Sequence, residues 1–249
     1  SNKLDNILDP AGQHTVSGIK DIVTQTDGNY QYDLKGRLTA DRSENHTLQW
    51  SNSDKLKRLN KSGETINFHY DHLDRRILKS NPGNQGEYTI RDSKGNILAE
   101  YRIIDGRIRI LSLPIYGGQR IGENRVDTAL IGTEDLRRWN QYRGEKVYEL
   151  KNQVGDVNIL FSDRKVNDIT GLIPDIRKNT EYYPFGMILP GRDSSYSDYK
   201  YGFQGMEQDD NFKGKGNSIS TEFRQYDPRL GRWLSVDPKE EKYPGWSNY

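Results

Sequence analysis

Short stretches in the first 110 residues alternate between apolar and polar side chains. Residues 65–70 read Thr-Ile-Asn-Phe-His-Tyr and residues 107–110 read Arg-Ile-Arg-Ile. A period of two places the apolar side chains on one face of an extended chain, which is the pattern of a half-buried β-strand. The pattern therefore predicts strands, and the polar, turn-forming residues between them predict β-hairpins.

The predicted hairpins recur along the chain. An aromatic or apolar residue followed by a polar turn recurs after 18, 20 and 20 residues, at Tyr32, Trp50, Tyr70 and Ile90. A single hairpin is only marginally stable in water, so successive hairpins are expected to pair edge to edge. The repeat therefore predicts an all-β fold built from a strip of antiparallel hairpins.

Three aspartates begin repeats of this pattern, namely Asp33, Asp71 and Asp92. They can be interpreted as a row of catalytic carboxylates or as residues that cap turns. Each stands directly before a turn, where an aspartate side chain bonds to its own backbone two residues further on. We therefore interpret all three as turn caps.

The composition excludes several classes of function. The 249 residues carry 37 basic and 36 acidic side chains, which gives no electrostatic case for a nucleic-acid partner. There are no cysteines, and the four histidines are scattered, so we expect neither a metal site nor a cofactor. The 16 tyrosines instead favour a thin, hydrated β-structure, because tyrosine covers apolar surface while its hydroxyl stays polar.

No apolar run approaches the ~20 residues that a membrane-spanning helix needs, so no transmembrane segment is expected. The chain also begins without an apolar signal-peptide stretch. It is either cytosolic or part of a longer secreted chain, and the repeats below favour the second interpretation.

The repeat resembles a known family. Residues 32–38 read Tyr-Asp-Leu-Lys-Gly-Arg-Leu, which is similar to the signature of the YD repeats of bacterial Rhs proteins, of the C components of Tc toxins and of animal teneurins. In those relatives the hairpins wind as a spiral strip into a hollow shell. The resemblance therefore implies that this strip curls into part of an Rhs/YD shell.

The later part of the chain resembles the same family. Residues 115–122 and 148–157 are similar to segments that precede the core of Bacteroidetes-type members, with departures at Gln153 and Asp156. Three further stretches follow in the order of the Rhs repeat-associated core domain, a less regular segment that plugs the shell: residues 181–187, 201–209 and 223–238.

These observations predict three regions. Residues 1–110 form the hairpin strip, residues 111–180 form continuing strands with an insertion, and residues 181–249 form the core domain, truncated at its C-terminal end. The only helical pattern is a short one at residues 133–142, which can equally be a loop.

The resemblance also implies a candidate catalytic site. In self-cleaving members the core acts as an aspartyl protease on its own chain, using two aspartates and an arginine. By motif, Arg224 matches the arginine and Asp237 the first aspartate, whereas the second falls after Tyr249. Because such proteolysis needs two carboxylates that share a proton, this chain holds at most half of the site and is expected to be inert by itself.

A structural interpretation of the same residues stays open. Asp227-Pro228 and Asp237-Pro238 have the composition of turn starters, since proline fixes φ and aspartate caps the turn. Residues 239–244 also depart from the glycine-rich stretch that commonly follows in self-cleaving members.

The resemblance implies a shell and plug of a secreted or cell-surface bacterial protein that encloses or presents a C-terminal cargo, a polymorphic toxin. The expected partners are the rest of the shell and that cargo. The alternative is an adhesin or secretion substrate that binds glycans or proteins through its repeat sheet, in which case the partner is a surface ligand or the secretion machinery.

Overall fold

The computed structural model describes residues 3–10, 15–16, 18–82, 85–129, 143–195 and 199–242. The short helical pattern at residues 133–142 lies outside the described residues. Within them, no helix is long and apolar enough to cross a membrane.

Fourteen antiparallel strands form one sheet in which neighbours along the chain are also neighbours in the sheet. These strands are β3 (Tyr30–Tyr32), β4 (Leu38–Asp41), β5 (His46–Trp50), β6 (Leu56–Lys61), β7 (Glu64–Tyr70), β8 (Arg76–Ser80), β9 (Gly86–Arg91), β10 (Ile97–Ile104), β11 (Arg107–Tyr116), β12 (Arg120–Ala129), β13 (Lys146–Lys151), β14 (Val157–Asp168), β15 (Gly171–Tyr182) and β16 (Ile188–Ser195). The prediction of an all-β strip of antiparallel hairpins is confirmed.

Two smaller sheets accompany the strip. One pairs β1 (Thr15–Val16) with β2 (Ile19–Lys20), and the other contains β17 (Glu207–Gln208), β18 (Ile219–Ser220), β19 (Gln225–Asp227) and β20 (Arg232–Trp233). A single turn of helix, α1 (Asp210–Lys213), and two 3₁₀ turns, Phe203–Gly205 and Glu240–Lys242, complete the described elements.

The chain divides into two compact units. Unit 1 contains residues 1–67, 181–193 and 200–249, and unit 2 contains residues 68–180 and 194–199. Unit 1 thus brings the last part of the chain together with the first hairpins. The three regions expected from the sequence stay a prediction.

In unit 1 the first repeat turn is closed by the aspartate that opens it. Asp33 Oδ1 accepts a hydrogen bond from the Arg37 backbone N–H at 2.9 Å, and Arg37 Nε donates to Asp33 Oδ2 at 2.7 Å. Arg37 Nη1 also donates to the Ser51 carbonyl of the next turn, at 2.9 Å. Although desolvation raises the pKa of Asp33, the hydrogen bonds and charge of Arg37 outweigh it and lower that pKa.

Unit 2 shows the same arrangement two repeats later. Asp71 accepts from the Arg75 backbone N–H at 2.9 Å and from Arg75 Nε at 3.0 Å, and Arg75 Nη1 donates to the Asp92 carbonyl at 3.3 Å. Asp92 in turn accepts from the Asn96 backbone N–H at 2.8 Å. These contacts confirm the three aspartates as turn caps, and the arginines extend two of the caps to the following hairpin.

Each unit has its own apolar core. In unit 1, leucines of β4–β6 are buried together with residues of the last part of the chain, namely Leu38, Leu48, Leu56, Leu59, Phe212, Ile219 and Leu234. In unit 2 the buried apolar residues lie on β10, β11, β13 and β14, namely Ile97, Ala99, Ile110, Val147, Val157 and Leu160. Removing these side chains from water is the main stabilising contribution to both units.

Candidate functional site

The C-terminal segment, defined here as residues 200–242, lies against the first hairpins of unit 1. The Leu38 backbone N–H donates to the Leu234 carbonyl at 2.9 Å. Lys55 Nζ donates to the Glu222 carbonyl at 2.6 Å, and Asn217 Nδ2 donates to the Lys20 carbonyl at 2.7 Å. Two backbone carbonyls and one side-chain amide of the C-terminal segment thus have partners far away in the sequence, which fixes the position of the segment.

Arg224 and Asp237, the two site residues predicted from the sequence, are brought together in this segment. Arg224 Nη2 lies 2.8 Å from Asp237 Oδ2, with side chains that are 15% and 37% exposed. The guanidinium carbon lies 4.2 Å from the centre of the Trp233 ring, a cation–π contact that orients its planar face. Partial burial lowers the pKa of Arg224, although Asp237 acts in the opposite direction.

Asp237 also starts a turn. Its Oδ1 accepts from the Lys239 backbone N–H at 2.8 Å, and its carbonyl accepts from the Glu240 backbone N–H at 2.9 Å. The geometry therefore accommodates both interpretations: Asp237 caps the turn and presents one paired, partly exposed carboxylate. Acid–base proteolysis needs a second carboxylate beside it, so the protease role stays a prediction.

A second, fully buried group of charges in unit 1 was not predicted from the sequence. Lys213 Nζ of α1 lies 3.0 Å from Asp41 Oδ2 of β4 and 2.9 Å from Asp227 Oδ2 of β19, and all three side chains are 1% exposed. Desolvation lowers the pKa of Lys213, but Asp227 and Asp41 outweigh it and raise that pKa above its ordinary value. The lysine therefore stays charged.

Arg229 connects this group to a further carboxylate, because it contacts both Asp227 and Glu44. Arg229 Nη2 lies 2.9 Å from Asp227 Oδ2, and Nη1 lies 3.0 Å from Glu44 Oε1. Glu44 also pairs with Lys20 at 2.5 Å. We call these six residues the ion cluster: Lys20, Asp41, Glu44, Lys213, Asp227 and Arg229.

The ion cluster is balanced in charge, with three cations and three carboxylates. Asp41 Oδ1 additionally accepts hydrogen bonds from Asn29 Nδ2 at 3.2 Å and from Ser43 Oγ at 2.9 Å. Buried charges are tolerated when they are paired and their remaining lone pairs are satisfied. The ion cluster therefore holds the C-terminal segment in one position on β4 and the β4–β5 turn.

Asp227 was interpreted from the sequence as a turn starter, and its Oδ1 does accept from the Arg229 backbone N–H at 3.0 Å. Its other oxygen belongs to the ion cluster. Desolvation raises the pKa of Asp227, but Lys213 and Arg229 together lower it well below its ordinary value. The Asp-Pro-Arg sequence at Asp227 was the one local sequence signal for a member of the ion cluster. Asp41 and Lys213 belong to no motif and are 172 residues apart.

In the described part of the chain, no three histidine, cysteine, aspartate or glutamate side chains are grouped so that they could hold a metal ion.

The described residues of the chain thus form a strip of antiparallel hairpins with a C-terminal segment bound to its first hairpins. No protein-family model and no curated protein matches the chain. Solved Tc toxin structures do match it. The chain aligns with the TcdB2-TccC3 structure at a TM-score of 0.57 and 18% identity, and with the TcdB2-TccC3-Cdc42 structure at 0.56 and 19%.

The Tc holotoxin pore of Photorhabdus luminescens also matches, at a TM-score of 0.52 and 18% identity. Each alignment covers 83% of this chain but only 9–10% of the matched chain. At this identity the likeness shows the fold alone. The Bacteroidetes type and the core domain stay predictions.

Proposed function

We propose that this chain is the shell and plug section of a longer bacterial Rhs protein that encloses a cargo encoded after it. The observation that carries the proposal is the ion cluster, which ties the C-terminal segment to the first hairpins. A segment that closes an enclosure must be held in one position, and a shift of this segment would separate Lys213 from Asp41 and Arg229 from Glu44, leaving buried charges without partners. The Rhs-like fold shared with Tc toxin structures supports the same role.

The strip supplies the wall in this proposal. Its hairpins follow one another in sheet order, and Arg37 and Arg75 link their own turns to the following ones. A wall of this kind can be extended by adding hairpins at either end. The partners are therefore the remainder of the same shell and a C-terminal cargo of toxin type, and the location is extracellular or on the bacterial surface.

Arg224 and Asp237 then form half of a self-cleavage site. The guanidinium holds the Asp237 carboxylate in place, and a second carboxylate from the chain beyond Tyr249 would complete an acid–base pair. With both present, one carboxylate activates water and the other protonates the leaving amine. Cleavage would break the covalent link between the cargo and its shell while the shell stays closed.

The test uses the full-length protein with everything after Tyr249 restored. Intact mass is measured for the natural sequence, for Asp237→Asn and for Glu240→Gln, a control that removes a carboxylate three residues away. We expect two fragments from the natural sequence and from the control, and one uncut chain from Asp237→Asn. A single uncut chain in all three would leave Asp237 a turn residue.

Enclosure is tested separately by adding a protease to the same three proteins. The cargo region should resist digestion under conditions that degrade it when it is expressed alone. Rapid digestion within the intact protein would contradict the enclosure.

One observation favours the alternative function of surface recognition. Polar side chains form a row across β5, β6 and β7, in which Asn60 Nδ2 donates to Thr47 Oγ1 at 3.1 Å and Thr65 Oγ1 donates to Asn60 Oδ1 at 2.9 Å. Beside it, Arg58 Nε donates to Asn67 Oδ1 at 2.9 Å. Such a hydrogen-bonding face suits sugar hydroxyls, and specific binding on a glycan array that is lost in Arg58→Ala would favour the adhesin.

A further inference from the structure

The side chain of His46 in β5 is buried beside the ion cluster. His46 is 1% exposed. Its ring contacts the Phe212 ring of α1 edge to face, with 5.6 Å between the ring centres and 86° between the ring planes. Neither ring nitrogen has a hydrogen-bond partner among the described residues. The site therefore accommodates an uncharged ring and provides no acceptor for the two N–H groups of a protonated one.

Four charged residues face this ring from the surrounding elements. Asp41 of β4 and Lys61 of β6 are its partners in strand register, Glu44 lies in the β4–β5 turn, and Lys213 lies on α1. Both carboxylates already form ion pairs with other residues: Asp41 pairs with Lys213, and Glu44 pairs with Lys20 and Arg229. Lys61 Nζ donates to the carbonyl of Asn211, also on α1, at 3.3 Å.

The charges of the ion cluster already sum to zero, so a proton on His46 would add a positive charge without a new carboxylate to balance it. That charge would lie beside Lys213, the residue through which α1 is attached to β4. Water could solvate the charge of the protonated ring only if the ring became exposed, and Phe212 and the rest of α1 cover the ring. Protonation of His46 is therefore coupled to movement of the C-terminal segment.

We propose that His46 is an acid-sensitive latch, which holds the C-terminal segment on the first hairpins while the imidazole is neutral and releases it when the imidazole is protonated. The latch concerns contacts within unit 1 and does not depend on the enclosure of a cargo or on self-cleavage. In a secreted or endocytosed protein, mild acid is the signal that would operate it.

The direction of the pH dependence follows from linkage. Burial, and then the charge of Lys213, lowers the pKa of His46 from 6.5 to about 4 while the segment is docked. A released His46 binds protons with its ordinary pKa, so the docked state is fully stable above about pH 6.5 and loses stability as the pH falls towards about 4. At pH 5 the docking equilibrium constant should be about 30-fold smaller than at about pH 7.5.

The carboxylates of the ion cluster act in a lower pH range. Desolvation raises the pKa of Asp41, Glu44 and Asp227, but the cations and hydrogen bonds of their partners outweigh it and lower all three, so their contribution is lost only below the ordinary carboxylate range. A transition between about pH 6.5 and about pH 5 therefore reports on His46.

The experiment measures amide hydrogen exchange by mass spectrometry at about pH 7.5 and about pH 5, corrected for intrinsic exchange rates, on the whole chain. We compare the natural sequence with His46→Phe, which keeps an aromatic ring against Phe212 but cannot be protonated. His69→Gln and His72→Gln remove exposed histidines as matched controls.

We expect protection of residues 200–242 to fall about 30-fold at pH 5 in the natural sequence and in both controls, and to stay unchanged in His46→Phe. An equal fall in His46→Phe would overturn the proposal. If that variant does not fold, the pKa of His46 is measured in the natural sequence from exchange of its ring C–H. A value near 6.5 overturns the latch, and a value below about 5 supports it.

Discussion

At the residue scale, the ion cluster is the feature that most constrains the account. Lys213 bonds to two carboxylates from strands at opposite ends of the sequence, and each of the three side chains is only 1% exposed. Removing one partner of such a group leaves a charge buried without compensation, which costs far more than the group contributes when it is complete.

Lys213→Met is therefore expected to destabilise the protein by about 3–5 kcal/mol, because the buried Asp41 would lose the cation that it pairs with, while Asp227 would retain only Arg229. Lys213→Met combined with Asp41→Asn should recover part of the loss, since one of the two carboxylates is then neutral. Urea unfolding followed by tryptophan fluorescence measures both. Lys57→Met, which removes an exposed lysine of β6, is the control, and a loss as small as that of the control would show that the cluster is not formed.

Local rules predict some of these residues and not others. Asp33 and Asp71 were predicted as turn caps, because the bond from an aspartate to a backbone N–H four residues later is a short-range property. The pairing of Lys213 with Asp41 spans 172 residues and leaves no spacing in the sequence. Arg224 and Asp237 were found only because their motif resembles that of a known family.

At the scale of elements, the first hairpins have a regular sequence repeat and tight turns, and this regularity is lost from β10 onwards. Strands β14 and β15 have 12 residues each, and their pairing register shifts twice. A bulge moves later side chains out of the simple alternation, so the polar and apolar pattern of residues 111–180 does not reveal the register. Sheet order was nevertheless predictable, since each hairpin can satisfy its edge only by pairing with the next.

The pairing of β12 with β13 depends on one small residue. Gly122 lies opposite Tyr148, and a Cβ atom at Gly122 would be 2.0 Å from the Val147 carbonyl oxygen. Because that oxygen belongs to the backbone, the two strands would have to separate.

Gly122→Ala is expected to destabilise unit 2 by about 1–3 kcal/mol or more, and to increase amide exchange in β12 and β13. Gly118→Ala is the matched control, since a Cβ atom there meets nothing within 4 Å. Thermal unfolding and hydrogen exchange compare the two variants. Equal behaviour would show that β12 and β13 are not paired in this register.

At the scale of the whole molecule, the chain corresponds to about a tenth of the Tc toxin chains that share its fold. The similarity of fold extends over 83% of this chain, whereas sequence identity is only 18–19%. Fold is conserved at this distance when the same strand order and turn geometry are kept, but substrates and cargo are not specified by fold. The function therefore has to be tested on the complete protein.

The most direct test of the account is a cryo-electron microscopy structure of the full-length protein. We predict that the strip of β3–β16 continues into further hairpins that surround a closed cavity, with the C-terminal segment bound to the first hairpins through Lys213 and the downstream region inside. An open sheet with the downstream region outside it would contradict the account.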